Sequence, residues 1–177
     1  SEYKSKGYLS YDFDLRLPGS LGCMLSHITL LESIDKDPDC KIALICEDDV
    51  VLKNNFLKKL KSIPWSDIPE DWDVIKLSCG KLKGKSISKT MMQPNQYPIR
   101  HIQSKGYNSG MFCYLFRSSS AKKVKNILVP YNGWRSMDVL LRENFNQFNI
   151  YITKNKLAKV QRYRYSIRKD LNLSIKK

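Results

Sequence analysis

Glu47, Asp48 and Asp49 follow directly on the most apolar strand-like run of the chain, Ile42-Ala43-Leu44-Ile45-Cys46. Open α/β sheets bind ligands outside the carboxyl ends of their strands, so an acidic cluster at such an exit is placed for metal or phosphate chemistry. Three adjacent anions repel one another unless a positive charge sits among them. A divalent cation carrying a nucleotide diphosphate is such a partner, and hard oxygen ligands suit manganese or magnesium better than zinc. If the strand persists to residue 49, Glu47 and Asp49 point the same way and can share one ligand, while Asp48 turns to the other face. A local reading competes with this one. Acidic residues after a strand also cap a following helix or favour its first turn, and residues 50–60 read as a short helix or turn-helix segment.

The neighbouring elements can be read from spacing. Leu21, Met24, Leu25, Ile28 and Leu31 recur at helical intervals after Pro18-Gly19-Ser20, which predicts an amphipathic helix over 20–34. Pro38 ends it by excluding the helical region for the residue before it. Helix, loop and strand then succeed one another in the α/β manner. Phe56, Leu57 and Leu60 give an apolar side to a lysine-rich helix, and a strand is expected over 73–78. Residues 79–106 show no sustained period; a loop of that length in a compact domain is a candidate functional flap, here facing an acceptor. Order returns with a strand over 111–116, entered through Asn108-Ser109-Gly110, a helix over 118–128, and a helical start over 136–141 with Asp138 in its first turn. Short strands are expected over 149–153 and 157–160.

With 177 residues and 42% hydrophobic content, the chain suits one folded domain. The expected division is a catalytic domain over 1–160 and a basic tail over 161–177. No apolar run is long enough to span a bilayer, and residues 1–17 show no charged-then-apolar leader, which reads as a cytoplasmic protein. The five cysteines, without close pairing and with two histidines beside them, indicate neither a zinc site nor a disulfide framework. Asn172-Leu173-Ser174 matches a glycosylation sequon, a pattern that also arises by chance. The net charge of +14 is uneven: residues 1–60 hold 8 basic and 10 acidic side chains, and the remainder holds 23 and 7. Such a field draws anions, whether nucleotide sugars, acidic glycans, lipid surfaces or nucleic acid.

Several segments, in order, resemble glycosyltransferase family 25, which includes bacterial lipooligosaccharide galactosyltransferases and collagen hydroxylysine galactosyltransferases. They are Pro18-Gly19 with Leu21-Gly22-Cys23-Met24-Leu25-Ser26-His27, then Ala43-Leu44-Ile45-Cys46-Glu47-Asp48-Asp49-Val50, then Asp71-Trp72-Asp73-Val74-Ile75. Gly110 with Cys113-Tyr114-Leu115, Ala121-Lys122-Lys123 and Met137-Asp138-Val139-Leu140 complete the set. The resemblance implies a GT-A-like, Rossmann-type α/β sandwich around a mostly parallel central sheet, with a divalent metal and a UDP-sugar donor. It places Glu47-Asp48-Asp49 at the family's Asp-x-Asp-like motif, with Asp49 and Glu47 on the metal and Glu47 and Asp48 at the donor. Gly22, Ser26 and His27 match the motif assigned to donor binding. Asp138 matches the second acidic motif and is the expected base, since an inverting enzyme must take a proton from the attacking hydroxyl. Trp72 and Trp134 are candidates for stacking on sugar rings.

Two departures stand out. The family's usual opening strand, of the Ile-Asn-Leu type, has no counterpart before Tyr8, and Ser20 stands where glutamate is common. The expected function is transfer of a hexose, galactose or glucose, from a UDP-sugar to a glycan or protein hydroxyl. One rival is a non-catalytic glycan-binding relative without the opening strand. Another is a basic polyanion binder whose tail holds an anionic surface, although no nucleic-acid motif accompanies the charge.

Overall fold

The computed structural model describes residues 2–14, 18–95 and 108–161. A short helix, α1 (Glu2–Ser5), and a bridge between Leu9 and Tyr131 precede the long helix α2 (Pro18–Lys36). The chain continues through β1 (Ile42–Cys46), β2 (Val50–Leu52), α3 (Phe56–Lys61), β3 (Val74–Ser78), β4 (Gly84–Ser86) and β5 (Met91–Pro94). After the segment left undescribed come β6 (Cys113–Arg117), α4 (Ala121–Leu128), α5 (Met137–Glu143), β7 (Ile150–Thr153) and β8 (Ala158–Val160).

Six strands form one sheet in the order β1-β6-β3-β7-β5-β4, and β2 pairs with β8 in a separate antiparallel ribbon. The main sheet is mixed and mostly antiparallel, not mostly parallel as the family pattern led us to expect. Only β3 and β7 pair in parallel. The reason is one insertion. β1 and β3 both run antiparallel to β6, so β1, β3 and β7 all point the same way, but β6 lies between the first two in the opposite sense. The local alternation of helix and strand was read correctly; the neighbour relations are non-local and could not be.

Two apolar layers enclose the sheet. On one face, Met24, Ile28, Leu31 and Ile34 of α2 pack with Val124 and Leu128 of α4 and Leu141 of α5 over Ile45, Val74, Tyr114 and Phe116. The other face is covered by Phe56 of α3, Ile63, Ile68 and Trp72, packed on Ile75, Leu77, Cys113 and Leu115. Burying a side chain of this size stabilises by roughly 1.5–3 kcal/mol each, so the alternating strand positions of β3 and β6 explain why both layers exist. The β2–β8 ribbon is tied to the sheet by Leu157 N–H to Leu77 O (2.8 Å) and Ser78 Oγ to Ala158 O (2.9 Å).

Several expected elements are displaced. Residues 50–60 divide into β2 and α3 instead of one helix, because Val50, Val51 and Leu52 pair with β8. The first half of the expected flap is ordered as the β4–β5 hairpin, paired to β7 through β5; residues 96–106 lie outside the described residues. So do the basic tail from 162 on and the sequon at Asn172. All five cysteines are free. Among the described residues, no helix is long and apolar enough to cross a membrane.

Candidate active site

The shared direction of β1, β3 and β7 brings their carboxyl ends to one edge, together with the start of β6. Glu47 N–H donates to Phe112 O at 2.8 Å, and Gly80 N–H donates to Ser109 O at 2.9 Å, so the acidic triplet, the end of β3 and the entry to β6 meet there. β1 stops at Cys46. Asp48 and Asp49 form a turn, closed by Val50 N–H to Glu47 O at 3.2 Å, so the strand alternation expected to aim Glu47 and Asp49 together reaches Glu47 but not Asp49. Asp48 is exposed, whereas Glu47 and Asp49 are half-buried.

Asp49 has one distinctive atom. Its Oδ1 is buried and has no hydrogen-bond donor among the described residues, although its backbone carbonyl accepts from Gln161 N–H at 2.8 Å. A buried carboxylate oxygen without a partner costs on the order of 1–3 kcal/mol. A hard divalent cation is the ligand that would repay that cost, so the residues present fit the metal that the triplet suggests.

Asp138 reaches the same edge from α5. It accepts from Gly110 N–H (3.0 Å) and from Ser136 Oγ (2.6 Å), and pairs with Arg142 at 3.6 Å. Burial alone would raise this carboxyl; the bonds from Ser136 and Gly110 and the charges of Arg142 and Lys76 outweigh it and leave it below its ordinary value. Asp138 is therefore held ionised. Gly110 is required at its position: its φ is +79°, and a Cβ there would lie 2.1 Å from the Phe112 ring.

Lys76, on β3, is a residue that sequence reasoning missed. It is 1% exposed and donates to Asn108 O at 2.6 Å. Register places it beside Tyr114, on the α2 face, and its charge is felt with those of Asp138 and Glu47. The signal was available: a lysine in the middle of the run Val74-Ile75-Lys76-Leu77. Burial pulls its ammonium down to about 8. Below that pH the charged form is buried at a cost; between about 8 and the ordinary lysine value the folded protein gives up the proton while the unfolded chain keeps it, so the cost disappears as pH rises. Lys76→Met should therefore melt higher relative to wild type at pH 7 than at pH 10. Over that interval the stability gap should move by about 3 kcal/mol, measured as paired thermal melts. A pH-independent gap would refute it.

His27, on α2, is buried, and its Nδ1 lies 2.8 Å from Tyr114 Oη. Burial pulls its imidazole down to about 4, so it is neutral near pH 7. Ser26 and Gly22 are exposed on the same helix, and a Cβ on Gly22 would meet nothing within 4 Å, so close packing does not explain that glycine. Cys23, one helical turn before His27, had no role in the sequence reading. The structure brings Cys23, His27 and Glu47 together, with one ligand atom of each within 4.8 Å of the others. Trp72 is core, stacked under Arg117 at 4.6 Å, while Trp134 is half-exposed. An open depression lined by Lys41, Trp65, Trp72 and Arg117 lies at the opposite end of β1 and is separate from this edge.

The family model described as glycosyltransferase family 25 (LPS biosynthesis protein) matches residues 17–141, which span α2, the triplet, β3, β6 and most of α5. The chain belongs to glycosyltransferase family 25. The family is one of glycosyltransferases, which implies a sugar donor and a glycan acceptor. Comparison with curated proteins gave no match. Glu47, Asp48, Asp49, Lys76, Asn108, Gly110 and Asp138 all lie within the matched interval, so the family assignment and the cluster at the sheet edge concern the same part of the chain.

Proposed function

We propose that this family 25 protein is a metal-dependent, inverting hexosyltransferase that moves galactose or glucose from a UDP-sugar to a hydroxyl of a glycan or protein, on a GT-A-like domain. The observation that carries this reading is the buried Oδ1 of Asp49 at the carboxyl edge, which has no partner among the described residues. Asp49 and Glu47 would hold manganese or magnesium, and Asp48, exposed beside them, would contact the donor, as would Gly22 and Ser26, exposed on α2, and the buried His27. A cation held there would supply charge neutralisation for the departing diphosphate.

Asp138 serves as the base in this reading. Ser136 and Gly110 N–H fix its carboxylate, and being ionised it is in the form that accepts a proton. Its low basicity suits a late transfer, in which the acceptor hydroxyl becomes acidic as its oxygen bonds to the anomeric carbon. Lys76 beneath the edge offsets part of the carboxylate charge before donor binds. Asp138→Asn should lower kcat roughly a hundredfold or more with donor affinity little changed; equal loss of affinity and of melting temperature would make it a positioning residue only. The test of the whole reading is UDP release from UDP-galactose and UDP-glucose with manganese. A glycan-binding relative would release none, and a polyanion binder would bind heparin with a steep salt dependence instead.

A further inference from the structure

We infer that Cys23, His27 and Glu47 form a second cation site, of the zinc class, which shares Glu47 with the manganese site proposed above and uses neither Asp48 nor Asp49. Cys23 and His27 stand at i and i+4 on α2, a spacing that puts both on one helix face. Glu47 is delivered to them by the exit of β1, whose preceding same-face residue, Ile45, packs under that helix. A ring nitrogen, Sγ and a carboxylate oxygen all within 4.8 Å of one another need only about 1 Å of contraction to reach the roughly 3.6 Å separations around a tetrahedral ion. A thiolate, an imidazole and a carboxylate together favour zinc or cobalt over magnesium. Three protein ligands leave the fourth position open to water or to an oxygen of a bound molecule.

The surroundings are those of an oriented ligand set. Tyr114 Oη holds His27 Nδ1 at 2.8 Å, with the two rings stacked at 6.0 Å, which fixes the ring and makes Nε2 the nitrogen that the proposed ion would take. Tyr114 is itself fully buried, so the support is rigid. Such outer partners of a ligating histidine set its tautomer and raise its basicity. The site does not depend on the transferase reading: the cobalt experiment below can succeed or fail whether or not UDP is released.

The test is titration of the 177-residue chain with cobalt(II), following the near-ultraviolet thiolate-to-cobalt absorption, with thermal melts of every variant. The expected result is one cobalt per chain with a thiolate band. Cys23→Ser should abolish the band, Cys46→Ser and Cys79→Ser should keep it, and Asp49→Asn should leave it unchanged. Tyr114→Phe should weaken cobalt binding roughly tenfold to a hundredfold. A wild-type chain without a thiolate band, a band that survives Cys23→Ser, or one lost in Asp49→Asn would overturn the proposal.

Discussion

Replacing Asp49 with alanine should abolish manganese-dependent binding of UDP while leaving the melting temperature equal to or above that of wild type. Most carboxylate deletions in a half-buried turn lose hydrogen bonds and stability together. Among the described residues Oδ1 has no donor to lose, so its removal relieves a desolvation cost instead of creating one. Function should move the other way. A metal ligand that helps neutralise a leaving diphosphate is worth several kcal/mol, and about 4 kcal/mol is roughly a thousandfold in kcat/KM. Calorimetric titration of UDP with and without manganese reads the binding, and a parallel melt reads the fold. Wild-type binding that survives the substitution would remove Asp49 from the site. Opposite signs of stability and binding are what separates this outcome from simple damage to the turn.

The contrast with the other carboxylates shows what the sequence could convey. Residue type and the apolar run before it placed the triplet at a strand exit, and β1 has the bounds read from its five apolar residues. The helical period of Met24, Ile28 and Leu31 likewise located α2. These are local signals, carried within one or two turns of chain. What they omit is which strand lies beside which. β6 separates β1 from β3 because Cys113 to Arg117 fit both neighbours at once, a fact about residues some 40 to 70 positions apart. The cysteines suffer the same limit. Spacing along the chain did not show that Cys23 and His27, which share a helix face, stand beside Glu47, which comes from a different element. Lys76 was visible in the run Val74-Ile75-Lys76-Leu77, but only the sheet order shows that its strand lies in the interior.

Asp73→Ala should be the most destabilising single substitution of a carboxylate in this protein. Asp73 stands at the amino end of β3, the edge opposite the triplet, and is 5% exposed. It accepts from Asn149 N–H at 2.6 Å, from Lys123 Nζ at 2.5 Å, and from Ser120 Oγ, so one side chain joins β3, the lead into β7 and the start of α4. Removing it leaves the Asn149 N–H and the Ser120 hydroxyl without their acceptor, and breaking a buried charge pair from the buried side typically costs about 3–5 kcal/mol. Against a total stability on the order of 5–15 kcal/mol this is a large fraction, and for a domain of this size it corresponds to a fall in Tm of roughly 10 °C. The pair is unequal, which supplies the control. The Lys123 side chain is 45% exposed, so Lys123→Met loses a partly solvated cation while the two other donors remain on Asp73, and should cost no more than about 1 kcal/mol. Chemical denaturation of both variants checks the order; similar losses from the two would mean that the ion pair, and not the buried network around Asp73, holds the edge. Donor affinity should be unchanged in any Asp73 variant that still folds, because that carboxylate is fully used in holding three elements together, whereas Asp49, the same residue type at the other end of the sheet, has a buried oxygen with no donor among the described residues.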